Sequence, residues 1–359
     1  MLNPYFLTML LIAVQPSMSS ANEHRMEARK GYDFAGNGIQ TMPCFTGQFK
    51  EDFAPVEHIA LDSQQLAAVT AQQQWLARQQ TLTSSQEATK SLIAQPVVDL
   101  SSYRFKLLAG EDNCGNTLLT SYYSPQLKLK RKSDAIYRYP VYRKPEDKNL
   151  LAFTRQQLEQ NQQPLRGLEI GYAASMLDVF LLQVQGSGFV HFVDTHEQAL
   201  LGFAAANQHT YVSIGQYLVA TGAISAEEIS LNAIYRYFER YPEKLQQVLW
   251  LNPRFIFFSE QLNTSPMASN GTPAIAYATI AVDKTVIPHG SMVLIEQPVL
   301  SAERHVIGRE YRLYLANDVG SAIKGAGRVD IYAGLDNGAG DLVHYGRVWL
   351  VVKVDDSCC

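Results

Sequence analysis

Residues 316–334 read ANDVGSAIKGAGRVDIYAG, and this segment carries most of the information about fold and chemistry. Two carboxylates, Asp318 and Asp330, flank a glycine-rich stretch in which Lys324 supplies a positive charge. Glycine permits tight turns and close ligand approach, so we expect a strand, a loop and a second strand that bring both aspartates to one loop. Paired carboxylates suit glycosidic-bond chemistry. Aspartates that only cap the amides of a turn would give the same spacing.

Strands are predicted on both sides of this segment and upstream of it. The runs with strand-like composition or alternation are residues 117–123, 137–142, 292–295, 310–316 and 348–354. Residues 179–193 are interpreted as two further strands around the Gly-Ser-Gly sequence at 186–188.

Helices are predicted at residues 61–80, where apolar residues recur with helical spacing among glutamines, and at residues 213–250. In the second region a capping box occupies 225–228, and Pro242 suits the first turn of another helix. Strands and helices do not alternate regularly, which argues against a doubly wound sheet. The order favours β-barrel-like domains with added helices.

The composition is that of an ordinary globular protein. With 359 residues, 47% of them hydrophobic, the chain is long enough for about two domains. The net charge of −4 and the absence of a broad basic region argue against a nucleic-acid partner. No zinc spacing, complete dinucleotide-binding loop or serine nucleophile elbow is present. We therefore expect no metal and no cofactor.

The N-terminus resembles an export signal. Residues 5–14 are apolar and small residues follow, so residues 1–21 are predicted to be a signal peptide cleaved after Ala21. No basic residue precedes the apolar run, so a misassigned start or a buried N-terminal segment is the alternative. None of the four cysteines suits lipid attachment at the cleavage site. Cys44 and Cys114 could form a disulfide in an oxidising compartment or remain two separate buried thiols.

Several segments resemble the membrane-bound lytic transglycosylase A (MltA) family. They are SYYSP at 121–125, YPVYR at 139–143, QVQGSG at 183–188, SIG at 213–215, NPRFIFF at 252–258, IPHG at 287–290, residues 318–334, and YGRVW at 345–349. The segments occur in family order from about residue 117 to residue 351, and their combination is highly specific. The run from Asp318 to Gly334 is the strongest match. Gln208 and Ala205 stand where the family usually has glycine.

The resemblance implies a mainly β fold with added helices. Residues 22–124 and 262–359 would form a double-psi β-barrel domain, and residues 125–261 an inserted β domain with helices. The substrate groove would lie between the two domains, which is a common place for a binding site.

The resemblance also implies a reaction. The family cleaves the β-1,4 bond between N-acetylmuramic acid and N-acetylglucosamine in peptidoglycan and forms 1,6-anhydromuramic acid ends. Asp330 matches the family's catalytic aspartate, which acts first as acid and then as base. One aspartate suffices because the attacking O6 hydroxyl belongs to the substrate itself. Asp318 matches a second aspartate, which either raises the pKa of Asp330 by repulsion or holds it by hydrogen bonds.

The residues predicted to bind the glycan are Thr120, Tyr122, Tyr123, Gln185, Ser187, Lys324 and Tyr332. The tyrosines would stack on sugar faces, the polar side chains would form hydrogen bonds, and the lysine would neutralise Asp318. Each has a structural alternative. The tyrosines could be half-buried strand aromatics, Thr120 a strand-surface hydroxyl, Gln185 and Ser187 parts of a tight hairpin, and Lys324 a solvated loop residue.

The predicted partners are peptidoglycan glycan strands and proteins of cell-wall synthesis or hydrolysis. The predicted location is the periplasm, and the sequence leaves association with the outer membrane open. Two alternative functions remain: a two-carboxylate glycan hydrolase on the same type of barrel, and a non-catalytic cell-wall-binding module.

Overall fold

The computed structural model describes residues 42–45, 56, 58–94, 97–110, 112–225, 229–261, 265–301, 306–335 and 343–353. The helices are α1 (Ser63–Ala77), α2 (Ser84–Leu92), α3 (Arg155–Gln160), α4 (Met176–Gln185), α5 (Ile214–Ala220), α6 (Leu231–Arg240) and α7 (Pro242–Trp250), with short 3-10 turns at Lys148–Ala152 and Gln163–Leu165. The strands are β1 (His58–Ala60), β2 (Val97–Asp99), β3 (Tyr103–Leu107), β4 (Thr117–Ser124), β5 (Gln126–Lys130), β6 (Tyr139–Tyr142), β7 (Glu169–Ala173), β8 (Gly188–Phe192), β9 (Gln198–Ala206), β10 (Ile256–Gln261), β11 (Thr279–Ala281), β12 (Met292–Leu300), β13 (Val306–Asp318), β14 (Arg328–Leu335) and β15 (Val343–Lys353).

Six strands close into a barrel in the order β12, β13, β11, β14, β4 and β15, because β15 also pairs with β12. The β4–β14 and β11–β13 pairs are parallel, and the other neighbours in the ring are antiparallel. Alternate residues fill the interior, among them Leu119, Ile280, Val293, Val329 and Val348. Closure removes the exposed strand edges that an open sheet would have.

Two helices cover the outside of this barrel. Asp62 begins α1 and Thr83 begins α2, each as part of a capping box in which a glutamine three residues later returns the hydrogen bond. The helices pack Leu76 and Leu92 against outward-facing barrel residues such as Trp349. Cys44 and Cys114 form a disulfide beside this domain, so the bridge, and not a pair of separate thiols, is present.

A second sheet of strands β10, β9, β8, β5, β7 and β6 lies between β4 and β11 in the chain. Helix α4 packs Leu182 onto its core, which includes Leu129, Val190 and Phe192. The helices α5, α6 and α7 form a further apolar cluster around Phe180 and Phe238. The predicted class, mainly β with a barrel and an inserted second β domain, is confirmed.

The prediction of two strands in residues 179–193 is wrong for its first half, because Met176–Gln185 is helical. Ser175 caps this helix by accepting from Asp178 N, and Gly186 ends it in the left-handed conformation, with φ of +78°. The helix is buried on several sides, so its continuous apolar run imitates a core strand. Only Gly188–Phe192 is a strand.

The helical prediction for residues 213–250 is confirmed with different boundaries. Helix α6 begins at Leu231 and is capped by Ser230, whose hydroxyl accepts from Ala233 N. Most of the predicted capping box, residues 226–228, lies outside the described residues, as do residues 1–21 and the two terminal cysteines. Pro242 begins α7 as predicted. Across the described ranges, no helix is both long and apolar enough to cross a membrane.

Candidate active site

The two aspartates lie in one row across the barrel wall. Asp330 on β14 pairs with Thr120 on β4 and with Ala281 on β11, and Ala281 also pairs with Asp318 on β13. Directly paired residues point to the same face, and neighbouring strands are about 4.8 Å apart. The two aspartates are therefore two strands apart on a single face, about 10 Å between Cα atoms.

This face is the outside of the barrel, and a β-bulge places Asp318 on it. Strict alternation after Ala316, which lies in the interior, would direct Asp318 inward as well. Instead Ala316 pairs with Ile280 and Asp318 with the next residue, Ala281, so that Asn317 is the extra residue of the bulge. Without this bulge the two carboxylates would lie on opposite faces of the wall.

Asp330 is half-buried, and its oxygen Oδ1 accepts a hydrogen bond of 2.7 Å from the Thr120 hydroxyl. Burial raises the pKa of Asp330 above its usual range, Arg328 and Thr120 oppose the rise, and the Asp318 charge adds to it. Burial is the largest of these effects, so the protonated form of Asp330 is more favourable than that of a free aspartate. A carboxyl group in this state is suited to general acid catalysis.

Asp318 is held by three donors. Oδ2 accepts from the Tyr122 hydroxyl at 2.7 Å, and Oδ1 accepts from the backbone N–H groups of Ser269 and Val319 at 3.0 and 2.9 Å. Burial, together with the neighbouring Asp318, raises the pKa of Tyr122 well above 10. Tyr122 therefore remains a donor at any physiological pH.

The predicted tyrosines differ in exposure. Tyr122 is half-buried, and its ring centroid lies 5.1 Å from that of Tyr332 on the adjacent strand. Tyr332 is 3% exposed and its hydroxyl lies 2.9 Å from Ser124 Oγ, whereas Tyr123 is 7% exposed and follows Tyr122 on the opposite side of the strand. Stacking of these rings on sugars stays a prediction, and exposure favours Tyr122 for it.

The inserted domain contributes Gln185 and Ser187 beside the end of β4. Gln185 is the last residue of α4, and its Oε1 accepts from Tyr123 N at 3.4 Å. The Ser187 hydroxyl lies 3.4 Å from that of Ser124. Both predicted residues thus lie where the barrel chain enters the inserted domain, and both remain partly exposed.

Lys324 is exposed on the loop between β13 and β14, and its charge acts on Asp283. Asp283 Oδ2 accepts from Gly325 N at 2.9 Å, and Oδ1 accepts from the Thr285 hydroxyl at 2.7 Å. These hydrogen bonds, with a smaller contribution from Lys324, lower the pKa of Asp283 to about 2. The proposed pairing of Lys324 with Asp318 stays a prediction.

Two polar residues of the site were missed by sequence reasoning. Arg328 donates from Nε and from Nη2 to Thr120 Oγ1, each at 3.3 Å. Its position two residues before Asp330 on a strand was the available signal, because such residues share a face. His289, in the IPHG segment, interacts with Asp318, and burial lowers its pKa. Within the described ranges, no group of three or more histidine, cysteine or acidic residues could hold a metal ion.

Residues 118–259 match the family model described as the MltA specific insert domain, and residues 278–352 match the 3D domain. Membrane-bound lytic murein transglycosylase A of Vibrio cholerae is 37% identical over 251 residues, or 67% of each chain. The protein of that name from Escherichia coli K12 is 34% identical over 250 residues, or 68% of each chain.

A solved structure of E. coli MltA with bound chitohexaose has a TM-score of 0.73 at 26% identity, over 91% of this chain and 99% of that one. A membrane-bound lytic murein transglycosylase from Agrobacterium tumefaciens has a TM-score of 0.68 at 23% identity, over 80% and 92%, and supports the fold alone. The closed barrel with its inserted domain is thus the predicted double-psi type. With more than 30% identity over two thirds of its relatives and the same fold, this chain belongs to the MltA family of lytic murein transglycosylases.

Proposed function

We propose that this protein is a peptidoglycan lytic transglycosylase that cleaves the β-1,4 bond between N-acetylmuramic acid and N-acetylglucosamine and leaves 1,6-anhydromuramic acid ends. The observation that carries the proposal is Asp330, a half-buried carboxyl group with a raised pKa on the outer face of the barrel. The names of the relatives and the glycan oligomer bound to one of them support the substrate class.

In the first step, protonated Asp330 donates its proton to the glycosidic oxygen. The bond from C1 of the muramic acid to that oxygen breaks, and N-acetylglucosamine leaves with a new hydroxyl group. The muramic acid retains positive charge at C1, which its own N-acetyl group can stabilise, as in substrate-assisted glycosidases.

In the second step, the O6 hydroxyl of the same muramic acid attacks C1, and its proton passes to the Asp330 carboxylate. The new C1–O6 bond forms the anhydro ring, and Asp330 is again protonated for the next cycle. No water enters the product. Because the nucleophile is already part of the bound substrate, one acid and base group is enough.

The surroundings of Asp330 suit both steps. Burial and the charge of Asp318 favour the acid form needed first, whereas Thr120 and Arg328 favour the carboxylate needed second. Asp318, fixed by Tyr122 and two backbone amides, would act through its charge and not by taking a proton. Three donors already directed at its oxygens also argue against Asp318 as the base that activates water in a hydrolase.

We also propose the domain limits and location. The barrel domain would comprise residues 22–124 and 262–359, and the insert residues 125–261. Among the described strands, those from β5 to β10 pair only with each other, which supports these limits. Residues 1–21 would direct export to the periplasm, which the disulfide supports because disulfides persist in oxidising compartments. The relatives are named membrane-bound, so association with the outer membrane is included in the proposal.

Purified sacculi, digested in water enriched in oxygen-18 and analysed by mass spectrometry, test the reaction. We expect anhydro ends without label from the wild type. Asp330→Asn keeps the shape but cannot donate an acidic proton, so the rate should fall about 10²–10⁴-fold, with glycan binding retained. Asp318→Asn should reduce the rate less.

Asp194→Asn, an exposed aspartate of the inserted domain, is the matched control and should retain wild-type activity. Label in the new reducing end would instead identify a hydrolase. Wall binding without any product would identify a binding module. Near-normal turnover by Asp330→Asn would refute the assignment of Asp330.

A further inference from the structure

The hydroxyl of Thr120 forms hydrogen bonds with both Arg328 and Asp330. Arg328 Nε and Nη2 are each 3.3 Å from Oγ1, and Asp330 Oδ1 is 2.7 Å from the same oxygen. Thr120 is 8% exposed, so water has little access to this hydroxyl. The three groups come from two adjacent parallel strands, β4 and β14, whose register places Thr120 directly opposite Asp330.

The hydrogen-bonding capacity of each group fixes the direction of the bonds. A guanidinium group has only donors, whereas a hydroxyl group has one donor and two acceptor lone pairs. The two N–H groups of Arg328 belong to one guanidinium edge, and both point at the lone-pair side of Thr120 Oγ1, so the hydroxyl hydrogen turns away from this cation. Asp330 Oδ1 is the acceptor at hydrogen-bond distance, and the O–H donates to it.

We propose that Arg328 is a positioning residue that orients the Thr120 hydroxyl to donate to Asp330 Oδ1 and thereby holds the catalytic proton on the other carboxyl oxygen. The inference rests on the proposed function of Asp330. If Arg328 were absent, Thr120 could accept a hydrogen bond as easily as donate one. Protonated Asp330 could then carry its proton on Oδ1 and donate it in a hydrogen bond to Thr120. In that position the proton is not available for transfer to the glycosidic oxygen.

Arg328 has a second effect through its charge. It opposes the rise in the pKa of Asp330 caused by burial and by Asp318. Strand β11, between β13 and β14, places the uncharged Ala281 beside Asp330. In the described part of the chain, the titratable groups that interact with Asp330, Asp318 or Arg328 include Tyr122 on β4, Tyr332 on β14, His289 before β12 and Tyr211 of the inserted domain.

The sign of the charge effect follows directly. Loss of the Arg328 charge raises the pKa of Asp330 further. A group that must begin protonated is inactivated as the pH rises through its pKa. The alkaline limb of the kcat profile should therefore shift to higher pH.

The test compares Arg328→Met, Arg328→Lys and a matched control, Arg309→Met, with sacculi as substrate over a range of pH. Arg309 lies at an exposed strand end and also donates from two nitrogens to one oxygen, Tyr345 O, at 3.3 and 3.4 Å. Arg309→Met therefore controls for the loss of an arginine from the barrel. We expect it to have the wild-type kcat and an unshifted pH profile.

We expect Arg328→Met to lower the plateau kcat about tenfold or more because the acid is misoriented, with little change in KM and a shifted alkaline limb. Arg328→Lys should restore the limb but not the plateau, since an ammonium is a point charge without the fixed fork of a guanidinium. In a Thr120→Val background, Arg328→Met should still shift the limb but lower the plateau little further, because the hydroxyl it orients is gone.

An unchanged plateau and limb in Arg328→Met would overturn the proposal. Full recovery of the plateau by Arg328→Lys, or equal losses from Arg328→Met with and without Thr120, would refute positioning through the hydroxyl. Asp330→Asn is measured in the same assay. If it remains active, the proposed function fails; if it is inactive while Arg328→Met behaves as wild type, only the role of Arg328 fails.

Discussion

Replacing Tyr122 with phenylalanine should reduce turnover by removing one atom that fixes Asp318. The Tyr122 hydroxyl donates to Asp318 Oδ2 at 2.7 Å, and burial together with Asp318 raises its pKa well above 10, so the donor is present throughout the working pH range. Phenylalanine retains the ring and its contact with Tyr332, so any stacking on the substrate is preserved.

The expected loss follows from the type of hydrogen bond. A hydrogen bond to a charged group contributes about 1.5–3 kcal/mol, and each 1.36 kcal/mol corresponds to about tenfold in rate. Asp318 keeps its two backbone donors, Ser269 N and Val319 N. We therefore expect the lower end of the range, about a tenfold decrease in kcat/KM.

Tyr332→Phe is the matched control, because it removes a neighbouring hydroxyl from the same wall. That hydroxyl pairs with the neutral Ser124 at 2.9 Å and not with a carboxylate. Release of soluble muropeptides from sacculi gives kcat/KM, and thermal unfolding checks that both variants fold. A Tyr122→Phe enzyme with wild-type kcat/KM, or one less impaired than Tyr332→Phe, would refute the view that Tyr122 acts through Asp318.

Two further predictions concern stability. The raised pKa of Asp330 means that the folded protein binds a proton more tightly than the unfolded one, so the free energy of unfolding falls as the pH rises from the ordinary value of 3.8 through the folded pKa. Calorimetry should therefore show a higher Tm for Asp330→Asn than for wild type at pH 7, and this difference should disappear at low pH. A lower Tm of the variant at pH 7 would contradict the burial argument. The Cys44–Cys114 disulfide joins residues 70 apart, and its reduction should lower the free energy of unfolding by about 4 kcal/mol. In denatured protein from a periplasmic extract, both cysteines should resist alkylation until they are reduced. Free reaction of both would argue against the disulfide and against export.

Much of the fold was accessible from local pattern. The strands at 117–123 and 310–316, the helix at 61–80 and the start of a helix at Pro242 were predicted because alternation, helical spacing and capping chemistry depend on neighbours in sequence. The segment 316–334 indicated the two aspartates for the same reason. The prediction of two strands in residues 179–193 was wrong for its first half, because a helix buried on several sides has the continuous apolar run of a core strand.

The sequence by itself determined which residues are available for chemistry. They are two aspartates with a glycine-rich loop between them, and tyrosines on a strand that precedes Asp318 by 196 residues in the chain. Only the tertiary structure decided how they face one another. The bulge at Asn317 directs Asp318 to the outer face, and the β4–β14 pairing places Thr120 against Arg328, 208 residues away in the chain. Strand pairing of this kind depends on the closure of the whole barrel, and no local pattern specifies which distant strand will lie beside Asp330.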